Sequence, residues 1–313
     1  LTILLLVFSM VFMACETDFD VNASWKEVTV VYGLLDQSEQ QQYIKINKAY
    51  LGEGDALQMA SVADSINYNP ADLEIKIFKV KDGSFGSLDT LGFVTLYDTI
   101  LEKESGLFST DENIIYTTPS NFFLTNNAND KKYILSIYNK RTTKTISAIS
   151  NLIHELNLDI PQNKPMGFYS PIPSPPIPMP LEKSQTTVNW YHAKNGKIYQ
   201  IIARIYYTDF FQNDTILNYI DWVQPQIIND GSNDMRHTFD GDVFANTLAN
   251  KIKNTNSSLI ARRLSHVELF FTVGSEDLYT YMAVNEPFEG IVQERPIFTN
   301  INNGIGLFSC RYN

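Results

Sequence analysis

Two cysteines and four histidines are all that 313 residues contain. The shortage excludes a disulfide framework: Cys15 and Cys310 are the only thiols, and if Cys15 carries a lipid, Cys310 has no partner. It also thins the metal chemistry. His154, His192, His237 and His266 form no HxH, HExxH or Cys-His pair, so the sequence offers no zinc ligand set. Basic residues are scarce as well: 24 Lys and Arg stand against 35 Asp and Glu, for a net charge of −11. Phosphate recognition needs clustered cations, so nucleic acid is not an expected partner. Flat adsorption onto anionic lipid is disfavoured for the same reason. No P-loop, GxGxxG or GxSxG follows a strand, and no carboxylate pair can be read as a glycosidase dyad. The sequence therefore gives no catalytic residue and no cofactor. Long apolar runs are also missing. The most apolar run, Leu1–Ala14, falls short of the roughly 20 residues a membrane-spanning helix needs.

That stretch has instead the length of the apolar region of a secretion signal. It ends Phe12-Met13-Ala14-Cys15, a large apolar residue, two smaller ones and then cysteine. The pattern predicts a lipoprotein signal peptide over 1–14, cleavage before Cys15, and acylation of the Cys15 sulfur. Two or more acyl chains at about 0.8 kcal/mol per buried methylene give durable anchoring. Residues 15–24 then read as an acidic tether carrying Glu16, Asp18 and Asp20.

The chain as a whole is 44% hydrophobic, enough for a packed core. Alternation at period two marks strands at Tyr43–Ala49, Leu73–Val80 and Tyr133–Tyr138, with β-branched runs at Val28–Gly33 and Thr143–Ile149. Turn clusters such as Lys81-Asp82-Gly83-Ser84 separate them. A short helix is expected around Ala56–Asp64. Short strands at this spacing predict an immunoglobulin-like β-sandwich over 25–160. Residues 161–180 hold eight of the thirteen prolines, and Pro171–Pro180 reads as an extended spacer unable to join a ladder. A Pro-rich linker over 161–183 thus precedes a second β-rich domain, 184–313. There Thr187–Trp190 and Lys197–Tyr207 read as a hairpin turning at Asn195-Gly196. Asp242–Lys253 reads as a helix with Phe244, Leu248 and Ile252 on one face. Leu264–Val273 reads as a long buried strand, and Ser275 as the cap of a short helix. Cys310, in the alternating Leu307–Tyr312, reads as a buried, inert thiol. The expected fold class is mainly β: two sandwich-like domains joined by the linker, with a few short helices in the second.

Several phrases resemble a known group. They are Val31-Tyr32-Gly33-Leu34-Leu35-Asp36, Tyr43–Gly52, and Gln293–Phe308, together with the cysteine motif. They are similar to Bacteroidetes-type envelope lipoproteins of a domain of unknown function (DUF4249-like). The resemblance implies an outer-membrane lipoprotein with β-rich domains, facing the surface or the periplasm. A TonB-dependent outer-membrane transporter is an implied partner. Glu16, Asp18 and Asp20 resemble the acidic export signal of such surface lipoproteins. Four Asp-Ser/Thr-aliphatic triplets match an O-glycosylation pattern of the same group, with Ser65, Thr90, Thr99 and Thr215 as acceptors.

Two further candidates come from the residues alone. Trp190, Tyr191, Tyr207 and Trp222, with Tyr206 and Tyr219 beside them, could stack on sugar faces or anchor an interface, though alternation assigns about half of such rings to a core. Asn229–Asp234 alternates oxygen ligands, so Asp230 and Asp234 form a weak calcium candidate, while the glycine position rules out an EF-hand. The expected function is non-catalytic: a lipid-anchored envelope protein that binds or scaffolds a glycan, a peptide or a transporter. A surface hydrolase and a structural or adhesive component are the rivals.

Overall fold

The computed structural model describes residues 27–49, 60, 62–102, 113–120, 131–159, 166–167, 169–171, 181–252, 257–287 and 296–313. The first half runs β1 (Val28–Asp36), β2 (Tyr43–Ala49), α1 (Ala63–Ile66), β3 (Leu73–Asp82), β4 (Leu88–Thr95), β5 (Tyr97–Ile100), β6 (Ile114–Thr117), β7 (Lys131–Asn139) and β8 (Lys144–Asn151). Then come β9 (Asn157–Leu158), β10 (Tyr169–Pro171), β11 (Leu181–Lys183), β12 (Gln185–Tyr191), β13 (Ile198–Phe210), β14 (Thr215–Val223), β15 (Ile227–Ile228) and β16 (Asp234–Asp240). The chain finishes with α2 (Gly241–Lys251), β17 (Ala261–Gly274), α3 (Glu276–Asn285) and β18 (Gly304–Tyr312). The protein is mainly β and sandwich-like, as its alternation requires. Among the described residues no helix is long and apolar enough to cross a membrane.

One large sheet runs β14-β13-β17-β18-β1-β2-β6-β5, with β15 alongside β13. Its seam joins the chain's first and last described strands. β1 and β18 pair in parallel over eight positions, from Thr29 opposite Gly304 to Asp36 opposite Arg311. β18 thereby leaves the expected 184–313 unit and lies beside β1 of the expected 25–160 unit. Parallel strands covered on both faces read as near-continuous apolar runs, and Gly304–Tyr312 is one. Phe308 and Cys310 are fully buried, and so is Ser309, whose hydroxyl bonds that of Ser275 at the start of α3. β17 reaches β18 only at Val273–Tyr312 and Gly274–Arg311. Upstream of that contact the Asn300 side chain serves Phe308 instead, accepting from its N–H at 2.9 Å and donating to its carbonyl at 2.7 Å.

Two smaller sheets cover this one. The sheet β4-β3-β7-β8 supplies Ile75 and Ile77, Tyr133, Leu135 and Ile137, and Ile146 and Ala148. These pack with Val31, Leu35, Ile44, Ile46 and Phe308 of the large sheet. Each fully buried aliphatic or aromatic side chain contributes about 1.5–3 kcal/mol. The sheet β16-β12-β9 and α2 cover the other end, where Val188, Trp190, Met235, Phe239 and Phe244 meet Tyr199, Ile201, Ile205, Trp222 and Phe271.

Several expectations are corrected. Thr187–Trp190 and Lys197–Tyr207 do not form a hairpin: β12 pairs with β16 and β9, while β13 pairs with β14, β15 and β17. The Asn195-Gly196 turn carries the chain from one layer to the other. Asn195 takes φ of 67°, and a side chain on Gly196 would come within 2.7 Å of Val273. Period-two alternation says which face is buried but not which strand lies alongside. Leu264–Val273 is not buried throughout, since β17 is mostly exposed before Phe271 and Leu264 is 52% exposed. Pro171 does join a short ladder, opposite Leu181. Most of the helix expected around Ala56–Asp64 lies outside the described residues, and α1 begins at Ala63.

Candidate functional site

β13, β14 and β17 are long, and only one face of their ribbon packs inward. Residues opposite one another in an antiparallel pair share a face. Ala203, Trp222 and Leu269 form one core-facing row, and Ile205, Ile220 and Val267 the next. The intervening rows face out: Ile202 with Val223 and Phe270, Arg204 with Asp221 and Glu268, and Tyr206 with Tyr219. No described layer covers this face, and Phe270, Tyr219 and Val223 are 44%, 54% and 57% exposed.

Arg204 organises it. Its guanidinium lies 4.3 Å from the Tyr219 ring centroid and 5.0 Å from that of Phe270. It also grips Asp221 with two parallel bonds, Nε to Oδ1 at 2.7 Å and Nη2 to Oδ2 at 2.9 Å. Forked pairing of this kind fixes direction as well as charge. The hydrogen bond from Arg204 holds the Asp221 carboxyl below its ordinary range, against the opposing pull of partial burial. Asp221 is therefore an ionised acceptor at neutral pH and not a proton donor. Arg204 is correspondingly pushed up by Asp221.

Next to it, Tyr206 donates to Glu268 Oε2 at 3.0 Å and lies 5.8 Å from the Tyr219 ring. Desolvation, with help from Glu268, raises the Tyr206 hydroxyl, so it stays a donor. A register shift in β17 between the partners of Ile205 and Tyr207 places an extra residue there. Bulges re-aim side chains, and His266 here stacks on Tyr206 at 4.4 Å with 13° between planes. The result is a row of ring faces interleaved with fixed charges and oriented hydroxyls. Such a surface can stack on planar or sugar-ring ligands and hydrogen-bond their edges.

The sequence-derived candidates scatter. Trp190 and Trp222 are core, 1% and 7% exposed. Trp190 lies against Tyr199 and Phe271, and Trp222 against Phe239 and Phe244, so both rings join the two layers and offer no face to a ligand. Tyr191 is exposed but belongs to the other sheet, opposite Asp234. Tyr207 points to the inward side of the ribbon, beneath the Arg262 guanidinium. Arg204, Glu268, His266 and Phe270 carry no mark in the sequence. Their signal is cross-strand register, which a single sequence does not hold.

The Asn229–Asp234 loop spends its oxygens on itself. Asn229 Oδ1 accepts from Gly231 N, Asp230 Oδ1 accepts from Ser232 N, and Ser232 Oγ donates to the Asp234 carbonyl. Among the described residues no three His, Cys, Asp or Glu side chains gather as a metal set. Thr90 on β4 and Thr215 on β14 are exposed, while Ser65 on α1 and Thr99 on β5 are half-buried. Cys15, Glu16, Asp18 and Asp20 lie outside the described residues.

Two concavities lie elsewhere on the described residues. One, about 290 Å³, is lined by Tyr32, Tyr281 and Pro296–Phe298. The larger, about 780 Å³, opens beside the β7–β8 turn. No protein-family model and no curated protein matches the chain.

Proposed function

We propose that this is a non-catalytic lipoprotein of the cell envelope, held to the outer membrane through acylated Cys15, that presents the outward face of β13, β14 and β17 to a glycan-bearing partner. The observation that carries the reading is the uncovered row in which Arg204 lies between Tyr219 and Phe270. Aromatic faces are a common platform for sugar rings, and the aligned carboxylates and guanidinium of Asp221, Glu268 and Arg204 supply the edge contacts that choose among sugars. The anchor rests on the Leu1–Ala14 run ahead of Cys15 and on the acidic residues that follow. A peptide segment or an outer-membrane transporter is the alternative occupant of the same face.

Two measurements test it. Metabolic labelling with a fatty-acid analogue should mark the native protein and not Cys15→Ala; an unlabelled native protein removes the anchor. A glycan array should return a defined set of ligands whose binding weakens about three- to tenfold in Tyr219→Ala and in Phe270→Ala, the range expected from one stacking contact. An array that stays blank, with the same two variants losing capture of a TonB-dependent outer-membrane transporter, moves the face to a protein partner. Binding unaffected by either variant refutes this face altogether.

A further inference from the structure

We infer that the 780 Å³ cleft beside the β7–β8 turn is a binding site for a small organic carboxylate carried on an apolar stem. It shares no residue with the β13–β14–β17 face and stands independently of the function proposed for that face. Its volume lies within the roughly 300–1,000 Å³ typical of small-molecule sites. Its lining includes the apolar side chains of Val28, Ile146 and Ile305. Its rim is charged, with Arg141, Lys144 and Glu27.

The charge count selects the ligand. In a chain of net charge −11, this cleft is lined by two cations and one anion. Glu27 is engaged by Arg141 through one guanidinium nitrogen, Nη2. Lys144 is exposed and makes no hydrogen bond or ion pair among the described residues. Among the described residues one positive charge is left over, and one monoanion neutralises it. The guanidinium carries five N–H donors, and those on Nε and Nη1 of Arg141 are not spent on Glu27, so they can join Lys144 in holding a carboxylate.

The rim is also built in advance. Asn139, 2% exposed, accepts from Arg141 N at 3.0 Å and from Thr142 N at 3.1 Å, and so fixes the turn that carries Arg141 and leads into Lys144 at the start of β8. Asn303 donates to the Thr145 carbonyl at 3.0 Å and ties the turn to the start of β18. Preorganisation of this sort lowers the entropy lost on binding. The stem would lie along Val28 and Ile305, whose exposed surface a carboxylate without an apolar part would leave in water.

Calorimetric titration of the whole chain with octanoate, with N-acetyl-leucine and with octanol tests this. Octanoate stands for a fatty acid and N-acetyl-leucine for a peptide C-terminus. At least one of the two acids should bind, with octanol at least about tenfold weaker, and Lys144→Gln should weaken the acid about tenfold, as expected for a lost charge-assisted bond. Lys144→Gln should unfold at the native temperature, because the side chain is exposed. Preference for octanoate over N-acetyl-leucine assigns the site to a lipid acid, and the reverse assigns it to a peptide terminus. The inference fails if neither acid binds up to about 10 mM, if octanol binds equally well, or if Lys144→Gln binds as the native chain does.

Discussion

Gly306 is where the β1–β18 seam tolerates least. Its φ is +114°, and an alanine methyl there would lie 2.0 Å from the Val31 carbonyl oxygen and 3.0 Å from the Val31 carbonyl carbon. These contacts are with backbone, so no side chain can turn aside. Placing an L-residue in this conformation costs about 1–2 kcal/mol. Forcing the two strands apart adds about 1–3 kcal/mol, the range for overpacking a well-fitted core. Gly306→Ala should therefore lose about 2–5 kcal/mol, and its melting temperature should fall by on the order of 10 °C. Denaturant and thermal unfolding, followed by far-UV circular dichroism, measure this. Gly92 on β4 is the control, since a methyl group there would meet nothing within 4 Å and its φ is not positive. Gly92→Ala should stay within about 0.5 kcal/mol of the native protein. Equal stability of the two variants would refute the parallel seam, because in any arrangement lacking that strand contact Gly306 has no carbonyl to strike.

Other consequences follow from the core. Trp190→Ala should cost about 3–5 kcal/mol, whereas Trp190→Phe should cost no more than about 1 kcal/mol, because the buried indole N–H has no hydrogen-bond partner to lose; chemical denaturation of the pair decides it. Burial lowers the pKa of His192, with Lys197 adding to it, and burial lowers that of His237. Tyr199 OH accepts from Ala193 N at 2.9 Å and lies 2.9 Å from His192 Nδ1, an arrangement suited to neutral His192. A depressed folded pKa means that the unfolded chain takes up protons first. Stability should hold above the unfolded value of about 6.5 and fall as pH drops below it, and His192→Gln with His237→Gln should flatten that fall. Burial pushes the Cys310 thiol up to about 12, and its Sγ donates to the Asn151 carbonyl at 2.7 Å. With Cys15 replaced by serine, a thiol reagent at about pH 8 should label Cys310 only as fast as the chain unfolds, and prompt labelling would contradict its burial.

Local pattern is legible where one face of a strand is dry and the other wet. Tyr43–Ala49 has the boundaries its alternation predicts, and Ile75, Ile77, Tyr133, Leu135 and Ile137 fall on the buried side as their spacing requires. Expected over Asp242–Lys253, the helix is α2, Gly241–Lys251, with Asp240 as its cap and Phe244 buried beneath it. Ser275 caps α3 as its acidic first turn implies. β4 and β5 leave no such trace, because nearly every residue in them is exposed, which erases the alternation that reveals a strand.

Partnership is not legible, and the candidate face is made of partnership. Arg204 and Asp221 are separated by a turn at Asp214, a distance hairpin reasoning can bridge, but Phe270 and Glu268 arrive from β17 and only the register of three strands sets them beside Arg204. Tryptophan is the heaviest aromatic signal in the sequence, and here it misleads. Trp190 and Trp222 stand at alternation positions that face inward, and the large ring that makes a good ligand platform makes an equally good bridge between two sheets. What separates the two uses is the parity of one position along a strand: Trp222 faces in while its neighbours Asp221 and Val223 face out. Shifting β14 by one residue against β13 would exchange them. The candidate face and the core of this half of the protein are thus two readings of the same three strands, and the pairing of Ala203 with Trp222 and Leu269 decides between them.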